Sequence, residues 1–117
     1  MKKSIFLGLF AAVSMTAGMV SAATLDDVKA RGNLNCGVST GAPGFATIDD
    51  SGKNVGFDVD YCRALASAIF GDPMAVKFVP LTSAVRFTAL AAGEVDMLAR
   101  NTTWTYSRDT DLKQTFL

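Results

Sequence analysis

The sequence contains no histidine, and that absence removes a good deal of chemistry. A Ser–His or Cys–His nucleophile has no imidazole to take its proton, and zinc loses its usual nitrogen ligand. Only two cysteines occur, too few for a thiolate metal cluster, so neither a metal site nor a resident cofactor is expected. Positive charge is not in excess either: eleven Lys and Arg balance eleven Asp and Glu. There is no basic field for nucleic acid and no polybasic patch for a membrane surface.

What is present begins with an address. Lys2 and Lys3 precede an apolar run from Ile5 to about Val20, followed by the small residues Ser21-Ala22-Ala23. This is the n-region, h-region and cleavage-site pattern of a secretory signal. Ser14, Thr16 and Gly18 interrupt the run, which is short for a membrane span. The expectation is a signal peptide over residues 1–22, leaving an exported domain over 23–117 with no lasting membrane insertion. Loss of the two lysines leaves nine basic against eleven acidic residues. Export also bears on Cys36 and Cys62: an oxidising compartment favours their pairing, and two buried free thiols are the alternative.

Along the remaining 95 or so residues the patterning alternates between strand and helix. Thr24 reads as the N-cap of a helix over Leu25–Ala30, and Leu34, Cys36 and Val38 define one face of a strand. Ser39 to Phe45 is a loop of small residues, and 49–53 is a hairpin tip. A helix over Asp58–Phe70 carries Val59, Cys62, Ala66 and Ile69 at helical spacing, with Asp58 and Asp60 capping its first turn and Gly71 ending it. A strand over Ala75–Val79 stops at Pro80. Thr82 or Ser83 opens a helix through Ala92, with Phe87, Leu90 and Ala91 facing inward, and Val95–Ala99 is the third strand. Strand, helix, strand, helix, strand with short connections implies a parallel sheet with right-handed crossovers. A ligand site then belongs beyond the carboxyl ends of the strands.

One stretch looks built for such a site. After the third strand come the small hydrogen-bonding residues Asn101, Thr102, Thr103 and Thr105 around Trp104, then Arg108 in a short helix opened by Thr105. Backbone N–H groups, hydroxyls and a guanidinium together suit a carboxylate. The competing reading pairs Arg108 with Asp109 or Asp111 on a solvated surface. Trp104 reads as packing rather than as a ligand contact.

Three separated motifs carry a resemblance: Gly56-Phe57-Asp58-Val59-Asp60-Tyr61-Cys62-Arg63-Ala64-Leu65-Ala66, Gly93-Glu94-Val95-Asp96, and Asn101-Thr102-Thr103-Trp104-Thr105 through Arg108. Together they resemble the family 3 periplasmic solute-binding proteins of polar amino-acid ABC transporters. The likeness leans toward the general L-amino-acid or glutamate/glutamine/aspartate/asparagine branch. Tyr61 departs from the usual aliphatic residue or phenylalanine but keeps the apolar body. The resemblance implies an α/β, type II periplasmic-binding-protein-like lobe, a parallel three-layer arrangement of which residues 23–117 are only the first part. It implies that Arg108 takes the ligand α-carboxylate and that Asn101 and Thr103 bond its ammonium or carboxylate. Phe45, Ser39 and Ala42 then line the side-chain pocket, without the aromatic platform that basic-amino-acid binders place at Ala42. Arg100 either meets an acidic ligand side chain or lies on the surface. The partners implied are a small polar L-amino acid and a membrane permease.

A binding protein rather than an enzyme is expected. A cyclohexadienyl-dehydratase-like enzyme needs a general acid over the ligand, and Glu94 lies at the wrong end of its strand. A sensory or cell-wall-enzyme module is a third possibility. A half-site open to water should also bind its amino acid weakly, because the charge pair stays screened.

Overall fold

A computed structural model describes residues 23–111; the expected signal peptide over 1–22 lies outside the described residues. The elements are α1 (Ala23–Arg31), β1 (Leu34–Ser39), β2 (Thr47–Ile48), β3 (Asn54–Val55), α2 (Phe57–Phe70), β4 (Val76–Leu81), α3 (Arg86–Ala91), β5 (Met97–Leu98) and α4 (Tyr106–Asp111). Strands β4, β1 and β5 form a parallel sheet in that order, and β2 pairs antiparallel with β3 around the 49–53 tip. Among the described residues no helix is long and apolar enough to cross a membrane.

Successive strand residues point to opposite faces, and the two core clusters follow that alternation. Cys36 and Val38 of β1, Val76 and Phe78 of β4, and Met97 with Ala99 meet Val59 and Cys62 of α2. Val79 and Leu81 of β4 and Leu98 of β5 turn the other way, onto Ala89 and Leu90 of α3. The sheet is therefore the middle of three layers. Cys36 and Cys62, both fully buried, are joined by a disulfide that ties β1 to α2. At the amino ends of the strands the Asp96 carboxylate accepts the Asn35 amide at 2.7 Å and pairs with Arg31. An open cavity of about 210 Å³ between Thr24, Asp27, Leu90 and this pair lies at that same end.

Gly37 faces the α3 side, where a Cβ would stand 2.7 Å from Leu98 Cδ2 and 2.9 Å from Leu81 Cδ1. Those methyl groups can shift only at the expense of their own packing. Gly37→Ala is expected to lower stability by about 1–3 kcal/mol in denaturant titration; an unchanged midpoint would show that the layer is looser than described.

Several boundaries differ from expectation. β4 runs through Pro80, which a sheet tolerates because β4 is an edge strand and proline's missing N–H costs no ladder bond there. Helix α3 begins only at Arg86, with no side-chain cap at Val85, so neither Thr82 nor Ser83 opens it. Its buried residues are Arg86 and Ala89, while Ala91 is exposed. Asp58 and Asp60 lie in the first turn of α2 as expected, where the helix dipole favours them, but neither supplies its N-cap. The N-cap is Gly56, without a side-chain bond, and Asp60 instead pairs with Arg63 one turn on at 2.9 Å.

Candidate functional site

The carboxyl ends of the three parallel strands open on one edge, and the chain leaves β5 along it before entering α4. Arg100 stands first in that segment. Its guanidinium donates to the Leu81 carbonyl at the end of β4, and at 3.2 Å to both Ser83 Oγ and Asn101 Oδ1. Since β1 lies between β4 and β5, the side chain reaches across the end of β1, where Ser39 is in register with Leu81. Ser39, Arg100 and Asn101 are thus brought together. Arg100 is half-buried and spends its outer nitrogens on protein acceptors.

Arg108 arrives from α4. Thr105 opens this helix as expected: its hydroxyl accepts the Arg108 amide at 3.3 Å and its carbonyl accepts the Asp109 amide at 3.0 Å. The Arg108 side chain turns back along the loop. Nη1 donates to the Thr103 carbonyl at 2.5 Å, and the guanidinium carbon stands 5.1 Å from the centroid of the Phe87 ring. Among the described residues the ion pairs are Arg31–Asp96 and Arg63–Asp60, so Arg108 pairs with neither Asp109 nor Asp111. Trp104, expected to pack, is instead largely exposed.

The loop after β1 is held from the other side. Ala42 and Ala46 exchange backbone hydrogen bonds of 2.8 and 2.9 Å, and the Gly44 and Phe45 carbonyls accept the Phe57 and Asp58 amides at 3.0 Å. Gly56 makes this closeness possible: its φ is +124°, and a Cβ there would lie 2.3 Å from the Phe45 carbonyl oxygen. Ala42 is half-buried and the Phe45 ring is exposed. The loop therefore hangs from the start of α2, where Asp58 lies within electrostatic reach of Arg100.

Arg86 was not among the expected site residues. It is 6% exposed, its guanidinium carbon lies 4.9 Å from the same Phe87 ring, and its Nε finds no hydrogen-bond partner among the described residues. Burial first, then the charges of Arg100 and Arg108, lower its pKa below the ordinary arginine value. It remains a cation at neutral pH. Its position gave a signal, because Arg86, Ala89 and Leu90 fall on one helical stripe and a charge on an apolar stripe needs a reason.

Three guanidiniums therefore share one edge of the sheet. The buried polar side-chain atoms left without a partner among the described residues are Arg86 Nε, Arg100 Nε and Thr102 Oγ1, all belonging to this region. Unpaired donors and uncompensated positive charge are costly when buried, and an incoming anion relieves both. One carboxylate senses the cluster. Burial raises the pKa of Asp58, and the Arg100 charge works against the rise. Ionised Asp58 thus costs stability above its folded pKa, and the cost is relieved as pH falls below the unfolded value. Arg100→Gln is expected to raise the Asp58 pKa further, which an NMR titration of the carboxyl carbon reads; an unmoved Asp58 would separate the two groups.

Fold and topology together define part of a lobe of the α/β periplasmic-binding type, with three guanidiniums gathered at the carboxyl edge of its sheet. The sequence matches the bacterial extracellular solute-binding proteins, family 3, over residues 34–115, and the chain belongs to that family. It is 59% identical over 117 residues to the glutamate/glutamine/aspartate/asparagine-binding protein BztA of Rhodobacter capsulatus, covering all of this chain and 35% of that protein. It spans, that is, about a third of this relative's length. An ABC transporter periplasmic binding protein from Brucella ovis, solved with glutathione bound, superimposes with a TM-score of 0.74 at 68% identity, covering 76% of this chain and 28% of that one. The arginine-bound form of domain 1 of TmArgBP, in a mutant, gives a TM-score of 0.65 at 32% identity, covering 73% of this chain and 64% of that domain. All three are named as binding proteins or parts of one.

Proposed function

We propose that this chain is the first part of a ligand-gripping lobe in the periplasmic substrate-binding component of an amino-acid ABC transporter, and that it captures a polar L-amino acid without transforming it. The observation that carries this reading is the convergence of Arg86, Arg100 and Arg108, with unpaired donors, on the carboxyl edge of the sheet. Arg108 takes the α-carboxylate, helped by Asn101 and Thr103. Arg86 and Thr102 offer donors to a second oxygen, which suits the side chain of glutamate, glutamine, aspartate or asparagine; BztA is named for those four. Ser39, Ala42 and Phe45 border the side-chain end. Signal cleavage after residue 22 would deliver the domain to the periplasm, and a membrane permease receives the ligand.

A second ligand reading has its own observation. The Brucella ovis protein holds glutathione, a γ-glutamyl peptide whose glutamyl end carries a free α-carboxylate and ammonium. The same Arg108 contact accommodates either ligand, and the two differ only beyond the γ-carbon.

The arginine-bound domain 1 of TmArgBP supports measurable binding by one lobe alone. Calorimetric titration of residues 23–117 with glutamate, glutamine, lysine and glutathione tests the proposal. Binding weaker than micromolar is expected for glutamate and glutamine, with lysine poorest; glutathione competing with glutamate supports the second reading. Lysine binding as well as glutamate would contradict the assigned role of the arginines.

A further inference from the structure

Phe87 has no hydrogen-bonding group, yet its ring stands against both cations that the proposed function assigns to the ligand. The guanidinium carbons of Arg86 and Arg108 lie 4.9 and 5.1 Å from its ring centroid, inside the cation–π range of about 6 Å. The two arginines come from different elements, α3 and α4. Arg108 is otherwise fixed by its bond to the Thr103 carbonyl, and α4 buries none of its residues, so packing does little to hold that helix over the edge. Like charges brought this close repel, and the shared ring offers each a negative π surface in return.

We infer that Phe87 is a positioning residue for the anion site: its ring holds the Arg86 and Arg108 guanidiniums side by side so that one ligand can meet both. The inference rests on the proposed function for the identity of that ligand. Leucine would fill much of the same volume without a π surface, whereas tyrosine keeps it. The ring, not the bulk, is what the site requires.

Arginine-labelled chain gives a direct readout, because ring current displaces side-chain resonances of a guanidinium stacked on a phenyl ring. Spectra of wild type, Phe87→Leu and Phe87→Tyr are recorded during titration with L-glutamate. In wild type the Arg86 and Arg108 signals are expected to be displaced and to move together on titration. Phe87→Leu should lose the displacement and weaken glutamate about tenfold, and Phe87→Tyr should retain both within about twofold. Should leucine unfold the chain, Phe87→Met makes the same comparison. Glutamate bound by Phe87→Leu as tightly as by wild type, or by Phe87→Tyr as weakly as by Phe87→Leu, would overturn the inference. If no wild-type arginine responds to glutamate, the proposed function fails. The ring-current displacement then decides the inference alone: present in wild type and lost with leucine it stands, absent in wild type it falls.

Discussion

Arg108→Gln is expected to abolish detectable amino-acid binding while leaving the fold intact. A guanidinium meeting a carboxylate makes two charge-assisted hydrogen bonds, each worth about 1.5–3 kcal/mol when neither partner is better solvated elsewhere. The edge is open to water, so the lower end applies, and a loss of roughly a hundredfold follows. From an already weak lobe, that places the variant beyond calorimetric detection. Stability should change by less than about 1 kcal/mol, because Arg108 is only half-buried and is tied to the Thr103 carbonyl and the Phe87 ring. Arg108→Lys keeps the charge but not the fork, and should fall between the two. Calorimetry with thermal unfolding separates lost contact from lost fold. A glutamine variant that binds as wild type does would remove Arg108 from the site.

Replacing Cys36 and Cys62 together by alanine is expected to have the largest effect on stability. The bridge closes a loop of 26 residues between β1 and α2, and a constraint of that length is worth about 3.5 kcal/mol through the unfolded chain. For a domain of this size the unfolding midpoint should drop by about 15–25 °C. Both sulfurs are fully buried among Val38, Ala46 and Val59, so alanine also leaves unfilled space. Function should follow only indirectly. Helix α2 carries the loop with Phe45 and the carboxylate of Asp58, so its loosening is expected to weaken binding less than loss of Arg108 does. Denaturant titration with and without reductant gives the number; a change below about 1 kcal/mol would mean that packing, not the bridge, joins β1 to α2.

Periodicity made most of the fold legible. Alternation marked β1, helical spacing marked Val59, Cys62 and Ala66, and the run of elements alone required a parallel sheet. The 49–53 tip announced itself through Asp, Ser and Gly. Boundaries failed where local signals conflicted with tertiary placement. Thr82 and Ser83 have the chemistry of caps, but Ser83 accepts from Arg100 and the chain turns through residues 83–85 before α3 starts. Pro80 looked like a stop because its strand's place at the sheet edge is a long-range fact.

The candidate site was legible by motif more than by physics. Arg108, Asn101 and Thr103 stood out through the loop that follows the third strand. Arg86 did not, since an arginine near the start of a helix usually lies on the surface; its place on the stripe with Ala89 and Leu90 was the one available signal, and its 6% exposure makes that signal plain. Arg100 was seen but unresolved, because whether it reaches across β1 depends on strand order, which no single segment encodes.

A structure of the chain with L-glutamate tests the central claim most directly. The expected result is the α-carboxylate in a two-bond grip on Arg108 at about 2.7–2.9 Å, with the side-chain carboxylate toward Arg86. Glutamate seated away from the carboxyl ends of β4, β1 and β5, or with its α-carboxylate turned from Arg108, would contradict it.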